Sequence, residues 1–110
     1  MSSSVADDAL TRANVALDRA EDMLESVDEL SAVRYAAEEA DGLLDLAARW
    51  LRVAWSAMPD GDERDNLILA ERAAAGTLPN ILKQHISDYC PIVARAHKIR
   101  SDVTSTLRHG

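Results

Sequence analysis

Residues 30–58 decide the fold, and they read LSAVRYAAEEADGLLDLAARWLRVAWSAM. Apolar side chains recur in this stretch at every third or fourth position, which is the spacing of one helix face. This main stripe consists of Leu30, Val33, Ala37, Ala40, Leu44, Ala47, Leu51, Trp55 and Met58. The pattern predicts a long amphipathic helix that packs against other helices along this side.

The same helix carries a second set of apolar residues beside the main stripe. The set consists of Ala36, Leu43, Leu46, Trp50, Val53, Ala54 and Ala57. Together the two sets cover about 200° of the helix circumference, whereas about 100° is typical of a surface helix. Gly42 lies inside this helix, where glycine costs about 1 kcal/mol relative to alanine. We expect the helix to tolerate Gly42 if packing needs a close approach there.

The rest of the chain is predicted to be helical as well. Similar apolar periodicity predicts three further helices, over residues 5–27, 62–75 and 78–107. Four amphipathic helices joined by short loops favour an all-α, up-down antiparallel four-helix bundle. We expect one domain over residues 1–110, with frayed ends at residues 1–4 and 108–110.

Two features of the later sequence modify this bundle. Pro91 lies inside the last predicted helix and removes a backbone donor, so we expect a kink or break near Ser87–Cys90. The third helix is short and ends at Gly76, a residue suited to a helix C-terminus. Because a short helix cannot cover a neighbour twice its length, part of the second or last helix should lack a partner within the chain.

Composition limits the class and compartment of the protein. The net charge is −7, and sixteen of the nineteen acids lie in residues 1–65. No apolar run is long enough to span a membrane, and the N-terminal residues lack the pattern of a secretory signal. The single cysteine, Cys90, cannot form an internal disulfide, so a cytoplasmic location is expected.

No constellation of residues predicts catalysis or metal binding. The histidines at 85, 97 and 109 are not at metal-ligand spacing, and we expect His85 in the core. Cys90 and His97 are seven residues apart, or about 10 Å along a helix, which is too far for a catalytic dyad. The sequence also lacks a glycine-rich phosphate loop and a nucleophile elbow. We therefore predict a non-enzymatic protein without cofactor or metal.

Two interpretations of the broad apolar arc remain open. The second helix is either central and buries both sets within the chain, or its second set meets another chain with Trp50 as the anchor. The short third helix favours the second interpretation, and a symmetric dimer is the commonest way to cover such a face. We therefore predict a homodimer that forms through Leu43, Leu46, Trp50, Val53 and Ala57.

The first helix presents an acidic side, with Asp18, Glu21, Asp22 and Glu25. These residues are either a solvated coat or a surface that binds or inhibits a basic protein. Small acidic helical proteins of bacteria and phages often act as inhibitors or assembly subunits. That comparison is an analogy at the level of fold and charge.

The last helix is the one basic element. Arg95, Lys98 and Arg100 lie on it, and Arg100 falls near the edge of the apolar stripe. The arginines either pair with acids of the first two helices or hold an anionic ligand, because a lone buried charge is very costly. The alternative function is therefore a nucleic-acid-associated subunit that uses these three cations.

Overall fold

The computed structural model describes residues 3–27, 29–85 and 89–109, and these residues contain helices and no strand. The helices are α1 (Ser3–Glu25), α2 (Leu30–Ser56), α3 (Asp62–Ala75), α4 (Asn80–Lys83) and α5 (Pro91–His109). The four longer helices pack antiparallel. The predicted all-α bundle with a short third helix is confirmed.

The last predicted helix is divided into two elements. Pro91 is the first residue of α5, a position at which its missing N–H is not needed. The Cys90 carbonyl accepts a hydrogen bond from the Val93 amide at 2.9 Å, which starts the helix. Residues 86–88, which include part of the expected break, lie outside the described residues. The expectation that His85 lies in the core is wrong, because His85 is exposed. The helix α4 ends at Lys83, so the predicted apolar helix face does not continue to His85.

The helical elements reach close to both ends of the chain. Helical structure begins at Ser3 and extends to His109, and fraying of these ends stays a prediction. Arg108 in the last turn of α5 favours this extension, because a cation stabilises a helix C-terminus. Residues 1, 2 and 110 lie outside the described residues. At the end of α3, Gly76 adopts the left-handed conformation with φ of 81°, as its type predicts.

The core consists mainly of alanine and leucine from α1 and α2 and of β-branched residues from α5. Its largest fully buried side chains are Leu17, Leu44, Leu51, Val93, Ile99 and Val103. Small side chains let packed helices approach toward the lower end of the usual range of about 8–10 Å between axes. The core therefore holds α1 closely against α2.

The helix α2 is the central element, but it is not surrounded. It packs most extensively on α1 and also on α3 and α5, whereas α1 and α5 touch little. The molecule measures 47 × 29 × 17 Å, so it is flat and elongated. One side of α2 therefore remains toward solvent.

Two tryptophan contacts fix α2 to α3. The Trp55 Nε1–H donates a hydrogen bond of 2.6 Å to the Glu71 carboxylate. The Arg64 guanidinium lies 5.1 Å from the centre of the Trp55 ring and donates to Asp60 at 2.7 Å. These contacts hold the short α3 at the C-terminal end of α2.

Candidate functional site

The five residues predicted for self-association share one partly exposed face of α2. Leu46 is 43% exposed and Val53 is 42% exposed. Leu43, Trp50 and Ala57 are half-buried. We call these five residues the α2 apolar face. None of them is sealed within the subunit, whereas Ala36 and Ala54 of the second apolar set are buried. The chain therefore buries the second set only in part.

The helix α1 extends this face with a residue that the sequence reasoning missed. Val15 is 44% exposed and lines a groove of about 310 Å³ together with Leu43, Leu46 and Trp50. On the same side, the Arg12 guanidinium lies 5.0 Å from the centre of the Trp50 ring and pairs with Asp8 at 3.1 Å. Val15 is an apolar residue that lies outside the apolar stripe of α1. That position in the sequence could have identified Val15 as an exposed apolar residue.

On its other side the α2 apolar face is bordered by Tyr35 and Gly42. Tyr35 is 63% exposed. It lies seven residues before Gly42 and eighteen before Val53, which places all three on the same side of the helix. A Cβ atom added to Gly42 would meet no atom within 4 Å. Packing within the subunit therefore does not require glycine at this position.

Charged residues of opposite sign lie around this face. Glu39 is in the N-terminal half of α2, and Arg49 and Arg52 are in the C-terminal half; all three are exposed. None of the three forms an ion pair with any residue that the structure describes. The face therefore combines an apolar centre with available charges on its flanks.

The acidic residues of α1 are partly neutralised. The Arg95 guanidinium binds the Asp18 carboxylate and lies 3.5 Å from a carboxylate oxygen of Glu21. Asp22 and Glu25 are exposed and make no such pair within the described residues. Binding of a basic protein at this surface stays a prediction, with two of its four residues already engaged.

The basic residues of α5 are also largely engaged. The Arg100 side chain is only 13% exposed, and its guanidinium binds the carboxylate of Asp41 and contacts Asp45 at 3.3 Å. Its Nε–H donates to the Ala74 carbonyl at 2.6 Å, which ties α5 to both α2 and α3. Of the three predicted cations, only Lys98 forms no ion pair with the described part of the chain. The structure thus shows pairing within the chain for Arg95 and Arg100.

The described residues contain no group of three or more histidine, cysteine or acidic side chains placed to hold a metal ion. None of the described helices combines the length and apolar character needed to cross a membrane. Comparison with protein-family models, with curated proteins and with solved structures finds no match to this chain. The function is therefore inferred from the surfaces described above.

Proposed function

We propose that this protein is a non-enzymatic interaction module that forms a homodimer through the α2 apolar face. The supporting observation is the exposure of Leu46 and Val53 on a helix that buries Ala37, Leu44 and Leu51 on its other side. Contiguous exposed apolar side chains rimmed by polar residues are typical of protein interfaces. Trp50, at the centre of the face, is the residue type most enriched among binding hot spots.

The charges flanking the face favour a second copy of the chain as the occupant. Glu39 and Arg49 are ten residues apart, or about 15 Å along the helix. If two copies of α2 pack antiparallel about a two-fold axis near Leu46, Glu39 of each copy lies at about the level of Arg52 of the other along the helix axis. Charges of opposite sign across an interface set its register and orientation. One sequence thus supplies both sides of the contact.

Gly42 gives a separate reason to expect another helix here. A glycine inside a helix costs about 1 kcal/mol relative to alanine, and nothing within the subunit explains that cost. Glycine is favoured where another backbone approaches closely. An antiparallel copy of α2 that packs about a two-fold axis near Leu46 runs past Gly42, which lies about one helical turn away, and provides such an approach.

Sedimentation equilibrium of the wild-type protein and of two charge variants tests this proposal. L46E places a carboxylate on an exposed position of the face, and I81E is the control, because Ile81 is 69% exposed on α4 and outside the face. We expect a dimer for wild type and I81E, and a monomer with unchanged helix content for L46E. A monomeric wild type at millimolar concentration, or equal association of L46E and I81E, contradicts the proposal.

The predicted nucleic-acid function has less support. Arg95 and Arg100 are neutralised by acids of α1 and α2, and the protein carries a net charge of −7. A nucleic-acid surface normally presents several available cations on one face. Lys98 alone does not meet that requirement.

A further inference from the structure

A second groove lies between α5, α4 and the loop after α3, and none of its lining residues belongs to α2. Its volume is about 360 Å³. The polar side chains that line it, besides Arg100, are Lys83, His97, Ser101, Thr104, Ser105 and Arg108. Those on α5 recur at three- and four-residue spacing, so they share one helix face. Buried Leu78 forms part of the opposite wall.

The charge of this groove differs from that of the whole protein. None of the acidic residues that the structure describes lines it, although the chain has nineteen acids and a net charge of −7. Lys83 and Arg108 form no ion pair with the residues that the structure describes. Arg100 also reaches the groove, but Asp41 and Asp45 already neutralise it. The available positive charge of the groove is therefore that of Lys83 and Arg108. The His97 side chain lines the same groove.

The donors in this groove match the chemistry of a phosphate group. Lysine and arginine bind phosphate oxygens through charge-assisted hydrogen bonds, and arginine can do so with two parallel N–H donors. The hydroxyls of Ser101, Thr104 and Ser105 can donate further bonds. The volume lies within the range of about 300–1,000 Å³ that is typical of small-molecule sites.

We propose that this groove binds the phosphate group of a small phosphorylated molecule, with Lys83 and Arg108 as the charged contacts. A small ligand is favoured over a nucleic acid because the net charge of the protein is −7 and its described acidic residues lie outside the groove. The negative charge of the whole protein repels an extended polyanion, whereas a single phosphate group meets a lining to which none of the described acidic residues contributes.

Isothermal titration calorimetry tests this site. The full-length protein is titrated with inorganic pyrophosphate and, separately, with AMP. The variants K83Q and R108Q each remove one cation from the groove, and T104V removes one hydroxyl. The variant K98Q is the matched control, because it removes the same charge from α5 at an exposed position outside the groove. A short single-stranded RNA serves as the polyanion probe.

We expect pyrophosphate or AMP to bind the wild type, K83Q and R108Q to weaken that binding at least tenfold, and T104V to weaken it severalfold. K98Q should change it less than twofold. Absence of binding by both probes at millimolar concentration overturns the proposal, and so does equal weakening by K98Q, which indicates a diffuse charge effect. RNA binding that exceeds pyrophosphate binding and depends on Lys83 and Arg108 overturns the assignment to a small ligand.

Discussion

Replacement of Gly42 by alanine should change subunit stability and self-association in opposite directions. Gly42 lies in the interior of α2, is exposed, and has no atom within 4 Å of the position that a Cβ would occupy. Alanine loses less backbone entropy than glycine when a helix forms, which is worth about 0.5–1 kcal/mol. The G42A variant should therefore have the more stable isolated subunit.

The size of both effects can be estimated. For a chain of this length, 1 kcal/mol raises the melting temperature by about 4 °C. In the dimer, the two added methyl groups lie where the α2 helices approach each other, and overpacking of a close contact costs about 1–3 kcal/mol. A cost of 1.4 kcal/mol weakens association tenfold, so we expect the Kd of the dimer to rise by about tenfold or more.

Two measurements separate these effects. Thermal unfolding followed by circular dichroism, at concentrations below the dissociation constant, reports the subunit, because association would otherwise raise the apparent stability. Sedimentation equilibrium at higher concentration reports the dimer. The control is S56A, which raises helix propensity at an exposed position of α2 outside the apolar face. S56A should leave self-association unchanged.

Either of two results for G42A would contradict these expectations. A G42A protein that melts higher but associates as tightly as wild type shows that Gly42 is not a point of close approach. A G42A subunit that melts lower when dilute shows that the space around Gly42 is not open.

Three further substitutions test the contacts that hold the bundle together, each by urea denaturation. W55F removes the hydrogen bond to Glu71 and should lower the free energy of unfolding by about 1.5–3 kcal/mol, the range for a charged acceptor; a change below 0.5 kcal/mol argues against that bond. R100Q should lower it by about 2 kcal/mol, because the side chain is 13% exposed and bonds to α2 and α3. R95Q should cost less than about 1 kcal/mol, since its partner Asp18 is 61% exposed; a larger loss for R95Q than for R100Q would reverse this ranking.

Much of the fold follows from local sequence features. The three- and four-residue recurrence of apolar residues was enough to predict α1, α2 and α3. Gly76 marks the end of α3, and Pro91 marks the start of α5. The separation of α4 from α5 was harder to predict, because apolar residues recur on both sides of Pro91 and suggest one continuous face. The exposure of His85 follows from that separation.

The site was less accessible to sequence reasoning, because its contacts join residues that are distant in the chain. Arg95 and Asp18 are separated by 77 positions and Arg100 and Asp41 by 59, so their pairing depends on how the helices pack. The apolar arc of α2 did predict an exposed face, since periodicity shows how much surface a helix must cover. It could not show that Val15 extends this face, or that Lys83 and Arg108 line one groove.

Disulfide trapping at Leu46 tests self-association through the α2 apolar face most directly. In a C90S background, L46C places the only cysteine of the chain at the expected two-fold axis, and I81C is the matched control. A disulfide needs Cα atoms within about 7 Å of each other, so only a residue close to its own copy is trapped efficiently. We expect mild oxidation to convert L46C to a covalent dimer at micromolar concentration while I81C remains largely monomeric. Equal or faster trapping of I81C would contradict self-association through α2.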